Sequence, residues 1–343
     1  MNGTVDGGLA LVSAAIVAVA ALLCALLIVA LHPWLKRYAL AKPNARSSHR
    51  TPTPQGGGIA VMAATLAAAG FALGFFPLGP AAAPSLPLIA GAALAMACLG
   101  AIDDVRPLPV GPRLLLQAIV VAGVLYTLPE ELRVVPSLPW WLERLLLLIG
   151  GLWFVNLVNF MDGLDWMTVA EVIPLTATLS VLGLLGVLPR NNVALALALG
   201  GAMVGFAVFN RPTARIFLGD VGSLPIGLIL GVLLLLVASS GHLIAAVIMP
   251  LYYLADGTIT LMRRLMHGEP IWQAHRTHFY QRATDNGFTV LDVVTRVFAA
   301  NIGLGALAIV TVVEPGRVSD VIALAGAAVL VAWLLTAFAR GRA

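Results

Sequence analysis

Charge is scarce in this sequence. Asp, Glu, Lys and Arg make up 10% of its 343 residues, against about 25% in soluble domains, while 60% are hydrophobic and the mean hydropathy is +0.97. That shortage excludes an ordinary water-soluble globule and leaves an integral membrane protein. Cysteine is nearly absent. Cys24 and Cys98 both lie in apolar runs and read as small core residues, which excludes a disulfide framework and a cysteine metal site. Residues 1–8 lack positive charge and the apolar run from Leu9 to Leu31 is long enough to span, so a typical signal peptide is not expected. The hydrophobic runs are long and separated by short polar joints. They are therefore helices and not barrel strands, which also leaves no backbone group unpaired against lipid. No nucleic-acid partner is expected.

About eleven spans can be read along a single polytopic domain covering 1–343: 9–31, 57–76, 86–102, 113–128, 141–158, 169–188, 192–209, 222–240, 242–262, 296–313 and 318–339. Alternating them sorts the 20 Lys and Arg residues. Arg133, Arg144, Arg190 and Arg317 fall on one side; all the others, from Lys36 to Arg342, fall on the opposite side. By the positive-inside bias the N-terminus is outside and the C-terminus cytosolic. The outer joints are short or bland. The joints 32–56, 103–112, 156–168, 210–221 and 263–295, all assigned inside, carry the concentrated polar sequence. Polar residues gathered at one face suggest an active site at the cytosolic membrane surface. A transporter would be expected to place them near the midplane.

The densest of these joints is Asn156 to Trp166, with two carboxamides and two carboxylates between apolar runs. Polar groups near hydrocarbon are costly and tend to be functional; the plain alternative is a wet loop with Asn and Asp as helix caps. Asp103-Asp104 ends the third span, and two adjacent carboxylates there call for a cation or a proton unless both are solvated beside Arg106. Asp220, between Gly219 and Gly222-Ser223, is presented at the start of a long apolar run, either as a helix cap or as a magnesium ligand sharing the ion with substrate phosphates. Gly56 to Gly58, following Arg46, His49 and Arg50, suit either close approach to an anion or tight helix packing. His275 and His278, with Arg276 and Arg282, fit a phosphate-binding cluster better than a zinc pair, because no Glu accompanies them. Asp256, inside the ninth span, is a functional candidate or a partner for Arg263 or Arg264.

Together these stretches resemble the polyprenyl-phosphate N-acetylhexosamine-1-phosphate transferases, glycosyltransferase family 4. The resemblance runs from Lys42 to about Gly287 in the family's order. Asp103-Asp104 matches the paired aspartates and Asn156-x-x-Asn159-x-x-Asp162-Gly163 the central motif. Phe217-x-Gly219-Asp220-x-Gly222-Ser223 matches the glycine-aspartate motif, and His275-Arg-Thr-His278 the histidine loop. The Pro-Asn-Ala-Arg-Ser-Ser-His opening and the His275 to Arg282 stretch resemble the polysaccharide-priming branch more than the peptidoglycan branch. Two departures stand out. Trp166 replaces a usual glycine, and Ala274 stands where the peptidoglycan enzymes carry another histidine.

The resemblance implies attack of undecaprenyl phosphate on a UDP-N-acetylhexosamine, with release of UMP, at the cytosolic face of a bacterial cytoplasmic membrane. It implies magnesium, or manganese in its place, on Asp220 with Asn159, because nucleophile and target are both anions. Asp103, supported by Asp104, would orient the lipid phosphate or accept its proton. Asn156, Asn159, Asp162 and Asp165 would hold the nucleotide sugar. His275, His278, Arg276, Arg282 and Arg50 would grip phosphate. UDP-GlcNAc or a deoxy relative of FucNAc or QuiNAc type is the expected donor for an O-antigen-like polysaccharide, with Trp166 narrowing the space beside the nucleotide. A homodimer is compatible with the resemblance. The phospho-MurNAc-pentapeptide transferase reaction is the alternative within the family, and a cation-coupled transporter is the alternative outside it.

Overall fold

The computed structural model describes residues 2–41, 52–73, 84–270 and 275–341. Among them the chain is helical throughout, save for a short antiparallel pair, β1 (Leu40–Ala41) and β2 (Thr53–Pro54). Eight helices are long and apolar enough to cross a membrane: α1 (Asn2–Tyr38), α3 (Leu86–Val105), α5 (Trp140–Met161), α6 (Met167–Leu184), α7 (Arg190–Asn210), α8 (Asp220–Ser239), α12 (Val290–Val313) and α13 (Arg317–Arg340). Two apolar helices are shorter, α2 (Gly57–Ala72) and α4 (Val110–Tyr126). The remaining three are α9 (Leu243–Ile248), α10 (Leu251–Met266) and α11 (Phe279–Asp285).

Helix ends follow local chemistry. Pro109, Pro139 and Pro189 stand immediately before α4, α5 and α7, where the fixed φ of proline suits a helix entry. Thr289 and Asp292 form a reciprocal capping box at the start of α12. That cap places the helix start six residues before the expected one, at Val290. The expected span 242–262 is not one helix. It breaks between α9 and α10 at Pro250, which has no N–H to donate and whose ring clashes with the preceding turn.

Helix α8 is the most enclosed of the eight long helices and packs against α2, α3 and α5. Its first turn is reached through glycines. A Cβ on Gly100 of α3 would lie 2.2 Å from the Asp220 carbonyl oxygen, and one on Gly58 of α2 would lie 2.3 Å from the Gly222 Cα. The chain before α2 also docks here: Gly57 and Gly58 N–H donate to the carbonyls of Phe217 and Leu218 at 2.8 and 2.9 Å. Of the two readings of the glycine run, the structure supports helix packing. Three helices thus converge on the residues around Asp220.

Candidate active site

Asp103 and Asp104 occupy the last turn of α3, next to the first turn of α8. Asp104 accepts from the backbone N–H of Asp220 (2.9 Å) and Val221 (3.1 Å) and from the Gln55 side-chain amide. It therefore caps α8 from another helix and fixes where Asp220 begins it. Asp103 is buried, accepts from Leu108 N–H at 2.6 Å and pairs with Arg113 at 2.9 Å. Its carboxyl is also within hydrogen-bonding reach of the Asp220 carboxyl. Asn159, on the last turn of α5, donates its amide to Asp220 Oδ1 (2.7 Å) and to Ser223 Oγ (2.9 Å). The side chain of Asp220 is thereby aimed by α5, while its backbone is aimed by α3.

The central stretch divides where α5 ends. Asn156 and Asn159 are helical, three residues apart, and Asp162 is the residue that closes the helix. Asn156 is buried and spends its amide on Gln117 of α4 (2.7 Å) and on the Leu152 carbonyl. Asp162 accepts from the Thr168 hydroxyl. Burial pushes the Asp162 carboxyl up to about 8 against that hydrogen bond, and the neighbouring carboxylates of Asp220, Asp104 and Asp165 push in the same direction. Asp165 is buried and accepts from Ala214 N–H at 2.9 Å, tying this stretch to the loop before Asp220.

Trp166 turns its side chain towards α7 and α12. Its backbone is left-handed, φ 63°, and its N–H donates to Asn210 Oδ1 at 2.8 Å. The indole donates to the Ala207 carbonyl of α7 at 2.7 Å and lines an apolar cavity of about 290 Å³ with Val294 and Phe298 of α12. The side chain is thus held on the α7–α12 side, and a role in narrowing the nucleotide space has no support in this arrangement.

The histidine loop sits on a short frame. Tyr280, buried in α11, donates its hydroxyl to the Phe160 carbonyl at 3.0 Å, and a Cβ on Gly163 would meet that hydroxyl at 2.1 Å. The Asp162 loop and the histidine loop are thereby in direct contact, and Gly163 is required by the closeness. His275 and His278 stack with ring centroids 4.8 Å apart. Arg276 pairs with Asp285 at 3.2 Å and reaches the Thr284 hydroxyl at 3.0 Å, so in this structure it lies along α11; Arg282 is exposed. Asp256 pairs with neither expected arginine. Arg263 lies over the Phe279 ring at 4.7 Å, and Arg264 pairs with Glu269 at 2.7 Å. Asp256 is fully buried and bonded to His278 and α11. Arg46, His49 and Arg50, and Ala274, fall outside the described residues.

Gln55, Arg113 and Thr168 belong to the site and were not singled out as site residues from the sequence. Their partners lie 49, 10 and 6 residues away. Only the Thr168–Asp162 pair lies within a single polar joint, 156–168; Arg113 falls at the start of the span expected at 113–128. Among the described residues, Arg113 is the one cation paired with the carboxylates of Asp103, Asp104, Asp162 and Asp220. No three His, Cys, Asp or Glu side chains among the described residues are arranged to hold a metal ion by themselves. Magnesium ordinarily takes one or two carboxylates and completes its shell with water and substrate phosphates. A crowded, under-compensated carboxylate at Asp220 fits that need.

The comparisons with known proteins cover the same stretches of the chain. Residues 86–238, which include the paired aspartates, the central stretch and Asp220, match the family described as Glycosyl transferase family 4. A probable undecaprenyl-phosphate N-acetylglucosaminyl 1-phosphate transferase of Bacillus subtilis is 26% identical over 283 residues, covering 78% of this chain and 76% of that protein. A phospho-N-acetylmuramoyl-pentapeptide-transferase of Wolbachia is 40% identical over 76 residues, and one of Latilactobacillus sakei 33% identical over 90 residues. Those two matches span only 23% and 27% of the relatives' lengths. Helical throughout, with its motifs gathered at the ends of α3 and α5 and the start of α8, the chain is similar to glycosyl transferase family 4 over residues 86–238.

Proposed function

We propose that this protein transfers N-acetylhexosamine 1-phosphate from a UDP-sugar to undecaprenyl phosphate and releases UMP, the first membrane step of a cell-surface polysaccharide. The observation that carries the reading is the cluster of Asp103, Asp104, Asp162 and Asp220 at a helix junction, with Arg113 as its paired cation. Carboxylates crowded together without matching cations favour a bound cation, and the substrates of this reaction are polyanions that need one. Magnesium on Asp220, with the Asn159 carbonyl oxygen as a further ligand, would clamp the pyrophosphate and offset the charge developing on the leaving UMP.

The chain's own residues would then divide the work. Asp103, held by Arg113, orients the acceptor phosphate. Asp104 holds the α8 N-terminus and so the direction of Asp220. Asp162 and Asp165 meet the nucleotide, and His275 and His278 meet phosphate, with Arg276, Arg282 and Arg50 as further cations. A groove of about 590 Å³, lined by Val110, Leu114, Ile149, Leu152, Trp153 and Phe160, opens beside Arg113 and Asn156. Its apolar walls suit a polyprenyl chain whose phosphate end reaches Arg113 and Asp103.

The donor we favour is UDP-GlcNAc or a deoxy relative, because the Bacillus subtilis match runs along most of both chains. The shorter matches to pentapeptide transferases cover about a quarter of each partner and speak for a shared reaction centre. UMP release by the purified protein with magnesium, undecaprenyl phosphate and a panel of UDP-sugars tests the assignment. Turnover with UDP-MurNAc-pentapeptide as fast as with UDP-GlcNAc would move it to the peptidoglycan branch. For topology we propose eleven crossings: the eight long helices, α2, α4, and α9 with α10 as one broken crossing. That puts Arg340 and the carboxylate cluster in the cytosol. A C-terminal reporter active only outside the cytosol contradicts it.

A further inference from the structure

Asp256 is a charged side chain with 0% exposure, in a protein that has few charges to spend. Five donors converge on it. Oδ1 accepts from Phe279 N–H at 2.9 Å, from the His278 ring at 3.2 Å and from the Thr260 hydroxyl at 3.3 Å. Oδ2 accepts from Tyr280 N–H and from the Tyr252 hydroxyl, both at 3.1 Å. A carboxylate can only accept, so the His278 nitrogen that faces it, Nδ1, must carry a proton. The opposite nitrogen, Nε2, is then the one left to meet a phosphate or its proton. The ring has little freedom to choose otherwise. His278 is itself buried and stacks on both His275 and Tyr280, and Tyr280 is fixed to the Phe160 carbonyl across the site.

We propose that Asp256 is a positioning residue of the transfer reaction: it holds His278 in the Nδ1-protonated form and balances the positive charge of the ring when Nε2 engages phosphate. This rests on the transferase reading given above. An exposed loop histidine would sample both tautomers and several rotamers, whereas one backed by a saturated carboxylate is presented in a single form. The arrangement also accounts for a buried acid on α10 that touches none of the other carboxylates by a direct hydrogen bond among the described residues.

The test compares Asp256→Asn, His278→Ala and the double variant in detergent-solubilised protein, by UMP release with magnesium, undecaprenyl phosphate and UDP-GlcNAc. Asn keeps the shape and most hydrogen bonds but removes the charge. Asp256→Asn is expected to lower kcat about 100-fold, the scale of one positioned proton-transfer or charge-stabilising group, with KM for UDP-GlcNAc within about threefold. In the His278→Ala background the same substitution should cost less than about threefold, since the group it acts through is gone. An equal loss in both backgrounds, a loss in KM alone, or near-normal kcat overturns the proposal. Should Asp256→Asn fail to fold, ¹⁵N-histidine spectra of the unmodified protein decide. A protonated Nδ1 at His278 supports the assignment and a bare Nδ1 overturns it. Wild-type protein inactive with every UDP-sugar would defeat the transferase reading, yet leave the tautomer measurement standing.

Discussion

The polar side of the molecule contains two carboxylate centres built in opposite ways. At Asp256 one acid is met by five hydrogen-bond donors, His278 among them, and nothing is left over. At the junction of α3, α5 and α8 several acids crowd one another, and Arg113 is the cation paired to them among the described residues. Buried polar groups in folded proteins are nearly always satisfied, so the first centre reads as a filled support that presents His278 and the second as a place that waits for a ligand. The contrast teaches where stability and function part company. Weakening the saturated centre should cost both order and rate, the latter through His278, whereas neutralising an acid in the crowded one should cost activity and relieve the fold.

The sharpest way to break that comparison is Asp220→Asn. The amide can still take the Asn159 hydrogen bond, but it binds magnesium far more weakly than a carboxylate. Loss of several kcal/mol of transition-state charge stabilisation corresponds to about a 10³-fold fall in UMP release. The melting temperature without divalent ions should stay level or rise. Near-normal turnover at ordinary magnesium would remove Asp220 from the metal assignment, and a collapsed melting temperature would make it scaffold.

Gly163→Ala probes the seam between the two centres. Its methyl group would need the space of the Tyr280 hydroxyl, 2.1 Å away, so α11 and the Asp162 loop must separate. A displacement of about 1 Å in a reacting geometry costs about 100-fold in rate. Tyr280→Phe, which removes the hydroxyl, should restore part of that loss in the double variant. No restoration would mean that the two loops do not need each other.

The sequence disclosed residue types well and partners poorly, for a physical reason. Asn159, Asp162 and Asp220 were visible because carboxylates and carboxamides are out of place beside long apolar runs. The break at Pro250 is hidden because hydropathy continues evenly across it, although proline cannot continue a helix without losing a hydrogen bond. Asp256 stood out as a buried charge, yet its partners were sought among Arg263 and Arg264 when they are His278 and the backbone of α11. Gln55 meets Asp104 only because glycines let α2, α3 and α8 cross closely, and no periodicity in one sequence encodes that crossing. Residues 42–51, which hold Arg50, one of the cations expected to meet phosphate, lie outside the described chain.

A smaller effect sharpens the idea that the crowded centre is held under repulsion. Asp162, whose carboxyl titrates at about 8 in the folded protein, is favoured there in its protonated form relative to an unfolded Asp, whose ordinary value is about 4. The unfolded chain therefore holds fewer protons between these values, and cation-free stability should fall as pH rises from about 4 to about 8. Asp162→Asn removes that slope. Thermal melts without divalent ions should show the variant and the wild type close together at pH 5, with the variant more stable at pH 8. If instead the variant is the less stable at pH 8, the carboxylates are better compensated than their packing indicates.

The smallest effect is expected at Trp166, where two contributions nearly cancel. A left-handed φ of 63° costs an L-residue about 1–2 kcal/mol, which glycine would not incur. Against that, the indole gives up its hydrogen bond to Ala207 and its place against Val294 and Phe298, about 1–3 kcal/mol in all. The backbone bond to Asn210 survives the change. Trp166→Gly should therefore melt within a few degrees of the wild type, on the lower side, and retain most of its rate. Its donor range should also be unchanged, because the indole sits between α7 and α12 and not among the carboxylates. Relative rates with UDP-GlcNAc and UDP-MurNAc-pentapeptide check this directly. A variant that gains the pentapeptide donor would return the tryptophan to the nucleotide pocket, and with it the view that one bulky side chain sets the branch.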